Sequence, residues 1–385
     1  MEGRLKVLVL TLSFGSGHVR AAQAVADELG RHASASNILV LDALEECRSV
    51  FRACYEWPYW LMLRHAPALW DRLAAARIKQ KHEATAPAWA FRFGCPKVFA
   101  TIESFNPDVI VAVEVGACEM AVIARRLGLT RVPILNVITD YEAEPIWVKP
   151  EVDAFAVPDD NVRTELIEWG APANRIFICG IPVDRAFDAA PNPKTIRRRH
   201  GINDDAPIVL LMGGGMGPTR MDEVARRLAE QEVPMHVVAI TGKDKRARRK
   251  LEALNVKPPV SLRVLGWTDQ VAALMQAATV LVTKPGGLTI AEAALCSLPT
   301  VLFDPIPGAE FVNAKRMVDA GAAVITKGAS ETVNAIVSLV RDERTRRSMA
   351  LGSNSMARPT ARREIAQIAL DLSAPEEEEL RRMTA

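Results

Sequence analysis

Short apolar runs alternate along the chain with stretches in which apolar positions recur at helical spacing. This is the pattern of strands buried on both faces and joined by helices. In the first half the predicted strands are Lys6–Thr11, Asn37–Asp42, Asp108–Val113, Pro133–Ile138, Ala154–Val157 and Ile176–Cys179. A glycine turn, Gly15-Ser16-Gly17, and a helix from about Arg20 to Arg31 lie between the first two. The rhythm breaks at the polar, proline-bearing stretch Asp188 to Lys194, then restarts with predicted strands Ile208–Met212, His236–Ile240, Leu262–Leu265, Thr279–Val282 and Thr300–Phe303. The expected fold class is α/β, with two tandem Rossmann-like, doubly wound domains whose strand C-termini face a central cleft. Their expected extents are 1–187 and 195–355, with a C-terminal helix in 356–385 able to pack back on the first domain.

Between Phe51 and Phe93 the rhythm is absent. Trp57, Tyr59, Trp60, Trp70 and Trp89 lie there among Arg52, Arg64, Arg72, Arg77, Lys79, Lys81 and Arg92. Amphipathic rings beside cations suit the boundary of an anionic membrane, and they equally suit a helical insertion packed on its own domain.

Composition narrows the classes. A chain of 385 residues with 49% hydrophobic and 24% charged residues has enough apolar mass for sizeable cores. Lys+Arg 48 against Asp+Glu 46 gives a net charge of +2, which argues against a nucleic-acid partner. Cys47, Cys54, Cys95, Cys118, Cys179 and Cys296 are scattered without a paired motif, so reduced core thiols and no structural zinc are expected. The apolar run Val7–Leu12 is short for a signal segment, and no run reaches the ~18 residues that span a bilayer. The expected setting is cytoplasmic, with peripheral association with the cytoplasmic membrane.

Three motifs carry chemistry. Ser13-Phe-Gly-Ser-Gly17-His18 joins a strand to a helix, where glycines admit a ligand and the helix N-terminus favours negative charge. His18 there is a candidate proton acceptor. The second motif, Met212 to Gly217, supplies Gly213, Gly214, Gly215 and Gly217 as a nest of backbone N–H groups for a diphosphate. It lacks the Lys-Ser/Thr ending of a P-loop and the spacing of a nicotinamide site. In the third, Gly286 and Gly287 open a helix, and Glu292 is placed to hydrogen-bond ribose hydroxyls. A further loop, Pro305 to Glu310, brings another carboxylate.

These motifs occur in one order from about Lys6 to Val324. They are the GxGH turn before Ala21-Ala22, Thr139-Asp140-Tyr141 with Trp147, Gly180-Ile-Pro-Val183, the glycine run, Lys284-Pro-Gly-Gly-Leu-Thr289 with Glu292, and Pro-Gly308-Ala309-Glu310 with Asn313. Together they resemble the diacylglycerol sugar transferases, the monogalactosyldiacylglycerol synthase and processive diacylglycerol glucosyltransferase group of glycosyltransferase family 28. The resemblance implies a GT-B fold and an inverting UDP-sugar-dependent hexosyltransferase acting on a lipid hydroxyl, with no metal and no cofactor beyond the UDP-sugar co-substrate. It implies that Gly17, Gly213 to Gly217, Lys284 and Gly286-Gly287-Leu288-Thr289 serve the diphosphate side, Trp267 and Thr268 the uracil, Glu292 the ribose, and Gly308, Ala309 and Glu310 the sugar. Lys284 reads equally as a solvated surface charge.

Three positions depart from the family pattern: Ala309 replaces a usual glutamine, and Glu144 and Glu114 stand where relatives carry histidine. His18 is the first candidate base, and Asp140, Glu114 and Glu144 are the alternatives. The departures also fit a cell-wall-lipid or natural-product acceptor, or an inactive nucleotide-sugar or lipid-binding protein. A nucleotide-sugar epimerase of the same architecture is a further alternative.

Overall fold

The computed structural model describes residues 5–13, 15–32, 37–66, 72, 86–189, 192–202, 204–213, 220–303, 305 and 309–374, with backbone alone at 59, 60, 63–65 and 309. Two compact units form: Met1–Asp184 together with the segment from Thr360 onward, and Arg185–Pro359. The first boundary lies three residues earlier than expected from sequence. The reason is a 3-10 turn, Arg185–Asp188, that belongs to the second unit: Gln276 Nε2 donates to the Phe187 carbonyl at 3.3 Å.

In the first unit the described elements run β1 (Lys6–Thr11), α1 (Ser16–His32), β2 (Asn37–Asp42), α2 (Ala43–Glu46), α3 (Ser49–His65), α4 (Ala88–Gly94), α5 (Pro96–Phe105), β3 (Val109–Val113), α6 (Val115–Arg126), β4 (Ile134–Val137), β5 (Ala154–Val157), α7 (Asp160–Glu168) and β6 (Ile176–Ile178). The second unit contributes α8 (Pro193–Arg199), β7 (Ile208–Met212), α9 (Met221–Leu228), β8 (Met235–Ile240), α10 (Lys245–Glu252), β9 (Val260–Leu265), α11 (Val271–Ala277), β10 (Val280–Thr283), α12 (Gly287–Leu295), β11 (Thr300–Phe303), α13 (Ala309–Asp319), β12 (Ala323–Thr326), α14 (Gly328–Arg341) and α15 (Glu343–Ser355). The chain then returns to the first unit with α16 (Ala361–Ser373).

Each unit holds one six-stranded, all-parallel sheet, in the orders β2-β1-β3-β4-β5-β6 and β12-β11-β10-β7-β8-β9. Central strands such as β1 and β3 read as near-continuous apolar runs, Val7–Leu10 and Val109–Val113, because helices cover both faces and leave no face for polar residues. Helix starts are locally encoded. Asp42 accepts from the Leu44 N–H at the start of α2, Asp159 from Val162 in α7, and Asp244 from Arg246 and Ala247 in α10.

Strand order reverses between β1 and β3 in the first sheet and between β7 and β10 in the second. At such a switch point the loops leaving neighbouring strands diverge to opposite faces and open a crevice at the strand C-termini. The His18 turn follows β1 and Glu114 follows β3; Gly213 follows β7 and Lys284 follows β10.

One expectation is overturned. Cys47 and Cys95 form a disulfide across 48 residues, their Cα atoms 4.1 Å apart. The end of α2 and the start of α5 meet only through the tertiary fold, so cysteine spacing in sequence carries no sign of the pair. Cys54, Cys118, Cys179 and Cys296 are free thiols. Among the described residues no helix is long and apolar enough to cross a membrane.

Candidate active site

In the first unit the candidate side chains gather at the β1/β3 switch point. The turn after β1 is fixed by the Ser13 N–H, which donates to Asp42 Oδ1 at 3.1 Å, and by Gly15 at φ 99°. That left-handed conformation favours glycine. The turn delivers Gly17 and His18 into the first turn of α1. His18 Nδ1 lies 2.7 Å from Thr139 Oγ1, at the exit of β4, so the imidazole is oriented from a second strand end. Burial pushes the His18 pKa below its usual 6.5, with the neighbouring Asp140 carboxylate partly opposing. The ring is therefore neutral at pH 7, the state in which imidazole accepts a proton.

Glu114 begins at an unusual backbone. Its φ is 107° and ψ 148°, a region that costs an L-residue on the order of 1–3 kcal/mol. The strain places its carboxylate over the start of α6, where Gly116 and Ala117 donate N–H bonds to Oε2 at 2.7 and 3.2 Å. Burial raises its pKa to about 8, against the two backbone bonds and with added repulsion from Glu119 and Asp140. Asp140 thus acts on His18 and Glu114 together, and the three form one electrostatic cluster. At pH 7 Glu114 is mostly protonated and its Oε2 is committed to the helix, which makes it a poorer base than His18. Glu144 stands apart in the chain, as the extended residue that leads into the 3-10 turn Pro145–Trp147.

A second buried polar group lies on α6. Glu119 and Lys149 pair at 3.6 Å with both side chains almost fully enclosed. Neither this pair, the Thr139 bond to His18, nor the approach of Tyr55 described below was assigned from sequence. Thr139 stands within a quoted motif, but the others have no local signature.

In the second unit Lys284, Gly286, Gly287, Leu288, Thr289 and Glu292 gather at the exit of β10. Gly286 N-caps α12, and a Cβ there would meet nothing closer than Thr289 Oγ1 at 4.0 Å, so the helix start is open. Asn313 is fully buried on α13 and donates to the Pro285 carbonyl at 3.1 Å, fixing the turn. Lys284 is buried, not a solvated surface charge as one reading of the sequence held. Glu292 is also buried, in the second turn of α12. Trp267 is exposed after β9, with Lys243 Nζ 5.4 Å from its ring centroid, and Thr268 Oγ1 accepts from the Gln270 N–H at 3.1 Å. Glu310 lies in the first turn of α13. Gly213 is described at the exit of β7, whereas Gly214, Gly215, Gly217 and Gly308, and the side chain of Ala309, lie outside the described residues.

The aromatic segment divides its rings between two roles. Phe51 stacks on Tyr55 with centroids 5.6 Å apart, and Phe91 packs against both. Trp57, Trp89 and Phe93 instead face outward at 68%, 73% and 68% exposure, with the Arg48 guanidinium 4.4 Å over the Phe93 ring. The side chains of Tyr59 and Trp60, and all of Trp70, lie outside the described residues.

Comparison with known proteins meets this geometry. Residues 18–183 match the model for monogalactosyldiacylglycerol (MGDG) synthase, and residues 193–355 that for glycosyl transferases group 1. The chain is a glycosyltransferase whose first domain carries the MGDG synthase match, as its motifs imply. Over 356 residues, 92% of this chain and 90% of the relative, it is 27% identical to a processive diacylglycerol beta-glucosyltransferase of Bacillus cereus. The Bacillus thuringiensis (strain Al Hakam) protein of the same name matches at the same identity and coverage. Among solved structures, Acinetobacter baumannii MurG superposes with a TM-score of 0.63 at 16% identity, covering 95% of this chain and 99% of that one. The two-domain fold is GT-B.

Proposed function

We propose that the protein transfers a hexose from a UDP-sugar, with inversion, to the hydroxyl of a diacylglycerol-like lipid at a membrane surface. The observation that carries this reading is the neutral, Thr139-held His18 beside Asp140 and Glu114 at one switch point, in a chain similar to diacylglycerol glucosyltransferases along most of its length. With Nδ1–H directed to Thr139 Oγ1, Nε2 keeps the lone pair that removes the acceptor proton. The acceptor oxygen forms a bond to the anomeric carbon as the bond to the UDP phosphate oxygen breaks, and the proton rests on His18 with Asp140 stabilising the imidazolium.

The donor belongs to the second unit. The N–H groups of Gly286 to Thr289 and the glycine run at Gly213 to Gly217 receive the diphosphate, whose charge the α12 N-terminus favours. Lys284 adds a cation to the departing UDP, Glu292 takes the ribose hydroxyls, Trp267 and Thr268 the uracil, and Glu310 the sugar. On this reading no metal or further cofactor takes part. The outward Trp57, Trp89 and Phe93 with Arg48 form the lipid-facing surface. A Trp57/Trp89→Ala pair is expected to lose binding to anionic vesicles, and unchanged binding would remove the membrane from the reading.

The test is UDP release from a panel of UDP-sugars, with and without vesicles containing diacylglycerol. Lipid-dependent release that falls about 100-fold or more in His18→Ala is expected. UDP binding without release on any lipid, or turnover of the sugar nucleotide with no acceptor, would overturn the proposal. The carboxylates Glu114 and Glu144 at family histidine positions favour including other hydroxylated lipids in the panel.

A further inference from the structure

The start of α6 is crowded from a direction the reaction does not explain. A Cβ placed on Gly116 would lie 3.0 Å from the Tyr55 hydroxyl, 3.1 Å from Glu114 Oε2 and 3.5 Å from Leu12 Cδ2. Tyr55 belongs to α3, the aromatic segment, and its hydroxyl and the Glu114 carboxylate therefore flank one point above the turn that Glu114 caps. Any side chain at position 116 would separate them.

Tyr55 is also held in place from behind. Its ring is stacked on Phe51, and Phe91 packs against it with centroids 6.0 Å apart. Phe51 in turn fills the space over Gly94, where an added Cβ would come within 2.2 Å of its ring. The Arg48 N–H donates to the Gly94 carbonyl at 2.7 Å, and the Cys47–Cys95 disulfide ties the same two chain segments together. The inward rings Phe51, Tyr55 and Phe91 thus share α3 and α4 with the outward Trp57, Trp89 and Phe93.

We propose that Tyr55 is a positioning residue for the transfer reaction: its hydroxyl fixes the strained Glu114 turn, making the His18 site depend on how the aromatic segment is seated. The inference rests on the reading of His18, Asp140 and Glu114 as the reacting cluster. It assigns Tyr55 no proton of its own. A group that acts through Glu114 alters the rate of the chemical step and its pH dependence, while leaving the donor's affinity alone.

The experiment is Tyr55→Phe, which keeps the ring in its stack and removes only the hydroxyl. With UDP-glucose and vesicles of phosphatidylglycerol and diacylglycerol, kcat is expected to fall about tenfold, or about 1.4 kcal/mol in the barrier. The KM for UDP-glucose and vesicle binding should stay as in wild type, and the pH limb governed by Glu114 should move. Gly116→Ala, which pushes the hydroxyl away from the other side, is expected to show the same kcat-only defect should Tyr55→Phe lower the melting temperature. Wild-type kcat and pH profile in Tyr55→Phe, with His18→Ala inactive beside it, would overturn the role of Tyr55 and leave the base standing. Wild-type rates in His18→Ala as well would overturn both. A raised KM for UDP-glucose with unchanged kcat would place Tyr55 on donor binding and equally refute the proposal.

Discussion

At the residue scale the cluster is governed by two groups whose protonation is displaced in opposite ways by the same cause. Burial keeps His18 neutral and Glu114 protonated, because each disfavours its charged form where the protein shuts it off from solvent. The position of His18 was legible in the sequence, since a glycine turn between strand and helix exposes the residue that follows it. The state of Glu114 was not legible: it depends on a φ of 107° and on neighbours brought by β4 and α6. A consequence is measurable in stability. The folded pKa of about 8 lies above the 4.5 of the unfolded chain, so the native state binds the extra proton between those values. The contribution is complete below about pH 4.5 and is lost as pH rises through 8, at up to ~1.4 kcal/mol per pH unit. Denaturant titrations at pH 5 to 8 should show this decline, and Glu114→Gln, which keeps an amide oxygen for the two N–H groups, should flatten it. An identical slope in the variant would mean that Glu114 is ionised throughout.

At the element scale the parallel strands were the most legible part of the chain, because a strand buried on both faces leaves an uninterrupted apolar run. The strand not foreseen is β12, a four-residue edge strand with Val324 exposed and Ile325 half-buried, whose pairing with β11 supplies a signal its own residues lack. The aromatic segment was legible in composition only. Which rings face inward is decided by the meeting of α3 and α4, and that meeting is secured by a disulfide with no trace in sequence spacing. Closing a loop of 48 residues restricts the unfolded chain by about 4 kcal/mol in the chain-entropy account. Reduction, or a Cys47→Ser/Cys95→Ser pair, should therefore destabilise the first unit by up to that amount and speed hydrogen exchange in α3 and α4. The exchange of β7 and β8, in the other unit, should be unaffected. Equal protection of α3 and α4 in oxidised and reduced protein would show that the stacked rings alone hold the segment.

At the scale of the whole molecule the chain closes on itself, and a pair of buried charges decides how firmly. α16 lies against α1, β3 and β4 of the first unit, burying Ala361, Ile365, Ala366 and Ala369. Its first turn brings Arg362 Nε to 3.0 Å from Glu28 Oε2, both side chains nearly without solvent contact. The ends of the domain are thus joined across 334 residues by a buried ion pair. Arg363 and His32 reach the other oxygen of Glu28 at 3.8 and 2.9 Å, from positions open to water. Two desolvated charges gain little over an apolar pair, but one left alone is expensive, since its lost hydration is no longer offset. Arg362→Met should therefore cost about 3 kcal/mol, the low end of the usual range for a broken buried pair, because Arg363 and His32 still serve Glu28. Adding Glu28→Met should restore most of that loss, since no buried charge then remains. The readout is denaturant unfolding followed by hydrogen exchange in α16, which isolates the first unit in a protein whose two units need not unfold together. A double variant as unstable as Arg362→Met alone would mean that the buried stem of Arg362 anchors the helix and that its charge does not.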